Sequence, residues 1–321
     1  MRRVSYKENA RLKLAQFRHL CQNRAQESQR TMTQVELVQR EQALVGEGPV
    51  WLPGEGALLW LDIKGQRLFR HDPATGASRS WSLPDRVGAL IPRARGGYVL
   101  LAKRGVFTSD FPFEALVPQC HPDSDLPDNR FNDAKCDPAG RLWAGSMDDN
   151  ETHASGRLYR FDSLTAPMRV RSGVNLSNGL GWSPDGRVMY FVETLRHVIW
   201  AHDYDVSTGE AGQPRVFAEV PEADGYPDGL CVDADGCVWL AHWGGARLTR
   251  FTPQGRMDRV VTLPVPQVAS CAFGGAALDT LYVTTAAAGM DAHALAEAPL
   301  SGSLFAFHPG VKGVPVAAFR G

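Results

Sequence analysis

The 321-residue sequence lacks the features that mark several common functional classes. It has no apolar run of about 18 residues, so a membrane-spanning helix is not expected. It has no excess of one charge, since 34 Lys plus Arg face 35 Asp plus Glu. Its overall field would therefore not attract nucleic acid or anionic lipid. We expect a small-molecule partner, with neither nucleic acid nor a membrane involved.

Cysteine is sparse and follows no metal or disulfide spacing. The six cysteines, which include no CxxC pair, are Cys21, Cys120, Cys136, Cys231, Cys237 and Cys271. Such spacing is typical of free, mostly buried thiols in a reducing compartment rather than of a disulfide framework. We therefore expect a cytoplasmic protein.

The sequence anchors of several familiar sites are also missing. No GxSxG elbow, HExxH pair or GxxxxGK[ST] loop occurs. These are the usual motifs of a serine hydrolase, a zincin and a nucleotide-binding protein, so the sequence indicates none of these three classes. The segment 123–134 fails as an EF-hand loop because Pro127 and Asp128 remove its turn glycine and Ala134 replaces its last carboxylate. His197, His202 and His242 lie in predicted strands, where packing is the expected role.

The first 31 residues differ in composition from the rest of the chain. They carry eight Lys or Arg residues against Glu8 and Glu27. They contain neither an apolar core of about seven residues nor a small-residue cleavage site, so a secretory signal is not expected. We predict that residues 1–31 are a disordered or helical extension outside the fold. Because Met32 stands just before the first strand-like run, we expect translation to start there, and a transit peptide is the alternative. Residues 32–321 are predicted to form one domain.

What the chain does contain is a sixfold repeat. A turn rich in Gly, Pro and Asp precedes a short β-type run in PGEGALLWLDI, RARGGYVLLA, DPAGRLWAGS, SPDGRVMYFVE, DADGCVWLAHW and GGAALDTLYVTT. Further strand-like runs follow in most copies. Successive turn glycines, which are Gly56, Gly97, Gly140, Gly186 and Gly236, lie 41, 43, 46 and 50 residues apart. This spacing is close to the length of one propeller blade.

The repeat predicts an all-β fold, a six-bladed β-propeller of four-stranded blades with a short N-terminal extension. An all-β sandwich would not require so even a period. Residues 35–39 precede the first repeat, and we expect them to pair with the last blade and remove the open edge of the ring.

Alignment of the repeats places oxygen-bearing side chains at one shared position. The first strand of a blade lines the central channel, so a fixed repeat position recurs around one axis. Counting back from the turn glycines gives Glu47, Asn132, Asn178 and Asp228 in blades one, three, four and five. The other two blades hold Val87 and, approximately, Ser270.

Carboxylates and amides that converge in this way predict a metal site. They suit one divalent ion, Ca²⁺ before the others, with Mg²⁺, Mn²⁺, Zn²⁺ and Fe²⁺ as alternatives. The competing interpretation is that Asn or Asp before Gly only satisfies turn backbone groups.

Six longer motifs occur in a characteristic order. They are GEGPVW (46–51), RFNDAKCDPAGRLWAGSM (130–147), SNGLGWSPDG (177–186), DYDVSTG (203–209), YPDGLCVDADGCVWLAHWGG (226–245) and LYVTTA (281–286). Over residues 45–285 the chain resembles the SMP-30/gluconolactonase/regucalcin (LRE-like) family. The resemblance implies that Glu47, Asn178 and Asp228 bind the metal, while Arg130 and Asn132 hold the substrate.

Two positions depart from the family pattern. Ala134 stands where a glycine is expected, and the acidic substrate contact expected after Met147 falls on Asp148, Asp149 or Asn150. Substrate preference is therefore left open.

The resemblance implies a metal-dependent hydrolase that opens a sugar lactone, with Asp228 as candidate general base. One alternative is a non-enzymatic, regucalcin-like protein that binds a divalent metal. Another is a broader ester or organophosphate hydrolase that uses the same site. The sequence leaves the lactone, the physiological ion and the oligomeric state open.

Overall fold

The computed structural model describes residues 34–321, and the predicted extension 1–31 lies outside them. These residues form six antiparallel sheets arranged as a six-bladed β-propeller, which confirms the predicted fold. Strand β1 (Glu36–Gln39) precedes the first blade. Blade one contains β2 (Gly46–Leu52), β3 (Ala57–Asp62), β4 (Arg67–Asp72) and β5 (Ala77–Ser82). Blade two contains β6 (Val87–Pro92), β7 (Tyr98–Ala102), β8 (Gly105–Ser109) and β9 (Val117–Cys120).

The middle blades follow the same plan. Blade three contains β10 (Asn129–Cys136), β11 (Leu142–Asp148), β12 (Gly156–Phe161) and β13 (Met168–Val174). Blade four contains β14 (Ser177–Trp182), β15 (Val188–Glu193), β16 (Val198–Asp205), the two-residue β17 (Glu210–Ala211) and β18 (Arg215–Glu219). Both β17 and β18 pair with β16, so the small extra strand leaves the four-stranded plan intact.

The last two blades complete the ring. Blade five contains β19 (Tyr226–Val232), β20 (Val238–Trp243), β21 (Arg247–Phe251) and β22 (Met257–Thr262). Blade six contains β23 (Val268–Gly274), β24 (Thr280–Thr285) and β25 (Leu304–Phe307). Helices in the described part are the 3₁₀ turns Thr194–Arg196 and Glu222–Asp224 and the short α1 (Ala292–Glu297). None of these helices has the length and apolar character needed to cross a bilayer.

The ring is closed by the strand that the sequence predicts. Strand β1 pairs antiparallel with β25, with Glu36 opposite Ala306. The Trp60 indole also donates to the side-chain oxygen of Gln39 at 3.3 Å, and this bond ties the closing strand to blade one. Pairing of β1 supplies the fourth strand of blade six and covers the edge that β25 would otherwise expose.

The core is divided into six clusters, one at each interface between neighbouring blades. Trp60, Trp143 and Trp239 occupy the second strands of blades one, three and five and are fully buried. The ring of Trp60 stacks on Phe69 with centroids 4.0 Å apart. Loss of such a buried aromatic side chain costs about 3–5 kcal/mol, so the blade interfaces are the main source of stability.

A β-bulge interrupts the innermost strand of every blade near its start. The register shifts lie between Glu47/Val50, Val87/Ala89, Phe131/Ala134, Ser177/Leu180, Pro227/Leu230 and Val268/Ser270. A bulge leaves a residue out of the ladder and re-aims its side chain. Asn132, Asn178 and Asp228 lie inside these bulges, and Glu47 lies at the edge of one. The bulges therefore present the predicted oxygen donors at one end of the inner strands.

Candidate metal and substrate site

The five predicted site residues line a single cavity of about 280 Å³. They are Glu47 on β2, Arg130 and Asn132 on β10, Asn178 on β14 and Asp228 on β19. The volume is close to the lower end, roughly 300 Å³, of pockets that bind small molecules. Four separate blades thus contribute side chains to one small-molecule-sized space.

Glu47 and Asp228 form a pair of buried acids in this cavity. Their exposed fractions are 7% and 5%. Burial, followed by the negative charge of Asp133, raises the pKa of Glu47 to about 8. Burial, followed by the charge of Glu47, raises the pKa of Asp228 well above its usual range. No Lys or Arg nitrogen of the described residues lies within 4.0 Å of either carboxylate. A bound cation would offset both the desolvation cost of the two carboxylates and the repulsion between them.

The side-chain amide of Asn178 has a defined orientation beside these carboxylates. Its Nδ2 donates to the Thr194 hydroxyl at 3.1 Å, and its Oδ1 accepts from Asn132 at 3.2 Å. The carbonyl oxygen therefore faces the cavity with one lone pair still free. This oxygen is in place to serve as a third metal ligand.

The donor set fits a hard divalent cation. Carboxylate and amide oxygens are the ligands that Ca²⁺ and Mg²⁺ prefer, and a flexible mixed set suits Ca²⁺ better. Within residues 34–321, no three His, Cys, Asp or Glu side chains group together as a potential metal site. The predicted trio of Glu47, Asn178 and Asp228 is completed by an amide instead.

Arg130 and Asn132 are held together next to this trio. Arg130 is buried, and its Nε donates to Asp149 at 2.8 Å. Its Nη1 donates to the side-chain oxygen of Asn132 at 2.5 Å. Asn132 donates in turn to the Ser177 carbonyl at 2.8 Å. The Asn132 oxygen already has a strong donor, so this amide is less suited to metal binding than that of Asn178.

None of the three predicted candidates for the acidic substrate contact lines the cavity. Asp148 accepts backbone hydrogen bonds from Asn150, Thr152 and His153 and orders the loop after β11. Hydrogen bonding, that of the Thr152 hydroxyl first, holds the pKa of Asp148 well below its usual range. Its carboxylate is fully used by its own loop.

Asp149 is bound by three cationic side chains, and Glu151 lines the cavity in place of the three predicted candidates. The Asp149 side chain accepts from Arg86, Lys103 and Arg130. Glu151, which the sequence did not single out, lines the cavity. Its φ of 59° is the left-handed conformation, which turns this residue away from the path of the preceding strand. No sequence pattern predicts that turn, because Glu has no preference for it.

Further lining residues lie in turns and at strand ends, outside the shared repeat position. Met147, Leu176, Leu195, Tyr226 and Trp243 form an apolar wall, and Lys64 adds a positive charge. The His197 ring lies 4.7 Å from the Tyr226 ring. The prediction that His197 lies in a strand is wrong. It follows the 3₁₀ turn Thr194–Arg196 with a φ of 54°, and this backbone reversal lets it support Tyr226.

Comparisons with known proteins show what the chain is similar to. A family model described as "SMP-30/Gluconolactonase/LRE-like region" matches residues 45–287. Regucalcin of Danio rerio is 38% identical over 291 residues, covering 89% of this chain and 98% of that protein. YvrE of Bacillus subtilis (strain 168), which carries the name of a sugar lactone lactonase, is 34% identical over 282 residues, covering 87% and 96%.

A solved structure shares the whole architecture. The crystal structure of a calcium-binding protein, regucalcin from Agrobacterium tumefaciens, superimposes with a TM-score of 0.85 at 28% sequence identity. The match covers 90% of this chain and 98% of that one. The similarity therefore extends over nearly all of the propeller.

Proposed function

The chain belongs to the SMP-30/gluconolactonase/LRE-like family, and we propose that it is a metal-dependent hydrolase that opens a sugar lactone to the sugar acid. The observation that carries the proposal is the buried, mutually repelling pair Glu47 and Asp228 beside the Asn178 amide oxygen. Such a pair is costly unless a cation neutralises it. The cavity around it is of a size that admits one small molecule.

Glu47, Asn178 and Asp228 would hold one divalent ion, with Ca²⁺ as the first candidate because only oxygens are offered. When bound, the ion supplies positive charge that stabilises the negative charge developing on the lactone carbonyl oxygen. The calcium-binding neighbour named above supports this choice.

Arg130 and Asn132 would orient the lactone. Two nitrogens of Arg130 are engaged, but Nη2 has no hydrogen-bond acceptor in the described part of the chain. It is therefore available to a ring or hydroxyl oxygen of the substrate. Glu151 would accept hydrogen bonds from sugar hydroxyls at the mouth of the cavity, in the place predicted for Asp148, Asp149 or Asn150.

Asp228 would act as the general base. Its ionised carboxylate takes a proton from the attacking water as the new C–O bond forms at the carbonyl carbon. The ring C–O bond then breaks, and the ring oxygen takes the proton that Asp228 holds and leaves as a hydroxyl. General-base assistance of this kind contributes roughly 10²- to 10⁴-fold in rate.

The test is proton release from aldonolactones after the protein has been stripped with a chelator and reloaded with Ca²⁺, Mg²⁺, Mn²⁺, Zn²⁺ or Fe²⁺. We expect at least one ion to restore hydrolysis, and Asp228→Ala and Glu47→Gln to abolish it with unchanged far-UV circular dichroism. Full activity in either variant would overturn the mechanism. Ion binding without lactone hydrolysis would favour the non-enzymatic alternative. Cleavage of aryl esters or phosphotriesters faster than of lactones would favour the broader hydrolase.

The cysteines support a cytoplasmic location. Five of them, Cys120, Cys136, Cys231, Cys237 and Cys271, are free in the structure, and four of these are buried. Free thiols persist in a reducing compartment. We therefore propose that the protein acts in the cytoplasm on a small-molecule sugar lactone.

A further inference from the structure

One side of the cavity is bordered by positive charge. We define the basic sector as Lys64, Arg86, Lys103 and Arg130, contributed by blades one to three. Lys64 lies in the turn between β3 and β4 and lines the cavity together with Arg130. Arg86 precedes β6, and Lys103 follows β7. A backbone hydrogen bond of 3.0 Å from Lys103 to Arg86 holds these two turns together.

A single buried carboxylate organises three of these cations. Asp149 accepts from Arg86 at 2.5 Å, from Lys103 at 2.9 Å and from Arg130 at 2.8 Å. Its side chain is only 4% exposed, while those of Arg86 and Lys103 are 39% and 32% exposed. One carboxylate cannot neutralise three cations, so Asp149 positions these groups and leaves an excess of positive charge.

Lys64 adds to that excess. Its ammonium forms no hydrogen bond or ion pair with any described residue, although the side chain faces the cavity. When a divalent ion balances the carboxylates of Glu47 and Asp228, the four cations face only Asp149 and Glu151, which leaves a local charge of +2 on a chain whose net charge is −1. The opposite wall, with Leu195, Tyr226 and Trp243, is apolar. The cavity is therefore polarised from one side to the other.

We propose that the substrate is a lactone with an anionic substituent, a carboxylate or a phosphate, and that Lys64 binds this substituent directly while Arg86 and Lys103 reinforce the attraction. The proposal rests on the proposed lactonase function and names its substrate class. A neutral lactone would leave the Lys64 charge partly desolvated without a partner. An anion satisfies it, and the apolar wall then receives a face of the sugar ring.

Lys64 allows a clean test because its ammonium forms no hydrogen bond or ion pair with any other described residue. We compare the wild type with Lys64→Met, the conservative Lys64→Arg and the matched control Lys312→Met. Lys312 is exposed and does not line the cavity. The substrates are D-glucono-δ-lactone (neutral), D-glucaro-γ-lactone (carboxylate) and phosphorylated gluconolactone (phosphate), each assayed in a series of salt concentrations.

For at least one anionic lactone, we expect kcat/KM to exceed that of the neutral lactone by about tenfold or more, which is the size of one charge-assisted hydrogen bond. Lys64→Met should lower this selectivity ratio by about tenfold, mainly through KM, while Lys64→Arg and Lys312→Met retain it. Added salt should also lower the ratio. Whichever anionic lactone shows the preference identifies the substituent as a carboxylate or a phosphate. Equal or better use of the neutral lactone, or an unchanged ratio in Lys64→Met, overturns the proposal.

A binding measurement separates this proposal from the lactonase assignment. Calorimetric titration with gluconate, glucarate and phosphogluconate reports recognition whether or not a lactone is hydrolysed. Tighter binding of glucarate or phosphogluconate than of gluconate, lost in Lys64→Met, supports the basic sector even if no lactone turns over. If only neutral lactones are hydrolysed and the three acids bind equally well, the proposed role of the basic sector is refuted and the lactonase function is retained.

Discussion

Asn132 donates its side-chain amide to the side-chain oxygen of Asn178 at 3.2 Å, across the boundary between blades three and four. The two asparagines occupy the same position of the repeat, yet their carbonyl oxygens have different surroundings. Each accepts one hydrogen bond, but that of Asn132 accepts from the charged Arg130 guanidinium at 2.5 Å, whereas that of Asn178 accepts the longer bond from the neutral amide of Asn132. These surroundings suit Asn132 to binding the substrate and Asn178 to binding the metal.

The buried acid pair should make the metal-free protein sensitive to alkaline pH. Since the pKa of Glu47 is raised to about 8, the folded state holds a proton that the unfolded state has already lost. Metal-free stability should therefore fall as pH rises from the ordinary glutamate range through about 8. Denaturant unfolding of Glu47→Gln should show a smaller fall. Glu55→Gln, at an exposed surface position, is the matched control, and an identical pH profile for all three proteins would contradict the interpretation.

Metal binding should release a proton near neutral pH. Glu47 is largely protonated before the ion arrives and must ionise to bind it. Asp228, whose pKa is also raised, must ionise as well, so we expect about one to two protons per ion, measured by calorimetry in buffers of different ionisation enthalpy. Glu47→Gln should bind the ion more weakly and release less. Binding without proton release would place the ion elsewhere.

Arg130→Ala should affect substrate binding more than metal binding. The guanidinium donates to Asp149 and Asn132 and presents its remaining nitrogen to the cavity. We expect KM to rise by about tenfold or more, while metal affinity changes far less. Steady-state kinetics and metal titration on the same preparation measure both. The opposite pattern would assign Arg130 to the metal site.

His242 should contribute to acid sensitivity. Its Nδ1 pairs with the Asp224 carbonyl, its Nε2 has no partner within residues 34–321, and burial lowers its pKa to about 4. Between the ordinary histidine pKa and about 4 the unfolded state takes up a proton that the folded state refuses. Stability should fall by about 3 kcal/mol as pH drops through this window. Urea unfolding of His242→Gln should show a flatter profile.

His293 provides the control for that experiment. Its side chain is 83% exposed, so His293→Gln removes a histidine without removing a buried one. A wild-type profile as flat as that of His242→Gln would contradict the assigned role of burial.

Two truncations should differ sharply. Removal of residues 1–40 deletes β1, exposes the edge of β25 and removes the Gln39 oxygen that accepts from Trp60. We expect a fall of several degrees in Tm, and aggregation through the open edge. Removal of residues 1–31, which leaves β1 intact, should change neither Tm nor activity. Thermal circular dichroism and size-exclusion chromatography would compare the two, and equal behaviour would exclude ring closure by β1 as a source of stability.

Much of the site could be found from the repeat. The sixfold period identified the blade number, and the shared position within it identified Glu47, Asn132, Asn178 and Asp228, because a closed ring brings equivalent positions to one axis. The β-bulges that aim these side chains were not foreseen, since a bulge depends on pairing with the next strand. The same limit applies to the choice among Asp148, Asp149 and Asn150, because Asp149 binds Arg86 and Lys103 of blade two as well as Arg130 of its own blade.

The order of residues along the chain by itself determined the all-β architecture, the strand that closes the ring and the oxygen donors that face the channel. These properties follow from a local pattern of hydrophobic strands and polar turns repeated at a constant length. The tertiary structure alone decided that Glu151, Lys64 and the Tyr226–Trp243 wall border the same cavity. Lys64 and Glu151 lie in turns of blades one and three, whereas Tyr226 and Trp243 lie at adjoining strand ends of blade five. Only packing of the blades around a common axis brings residues so far apart in sequence within reach of one ligand.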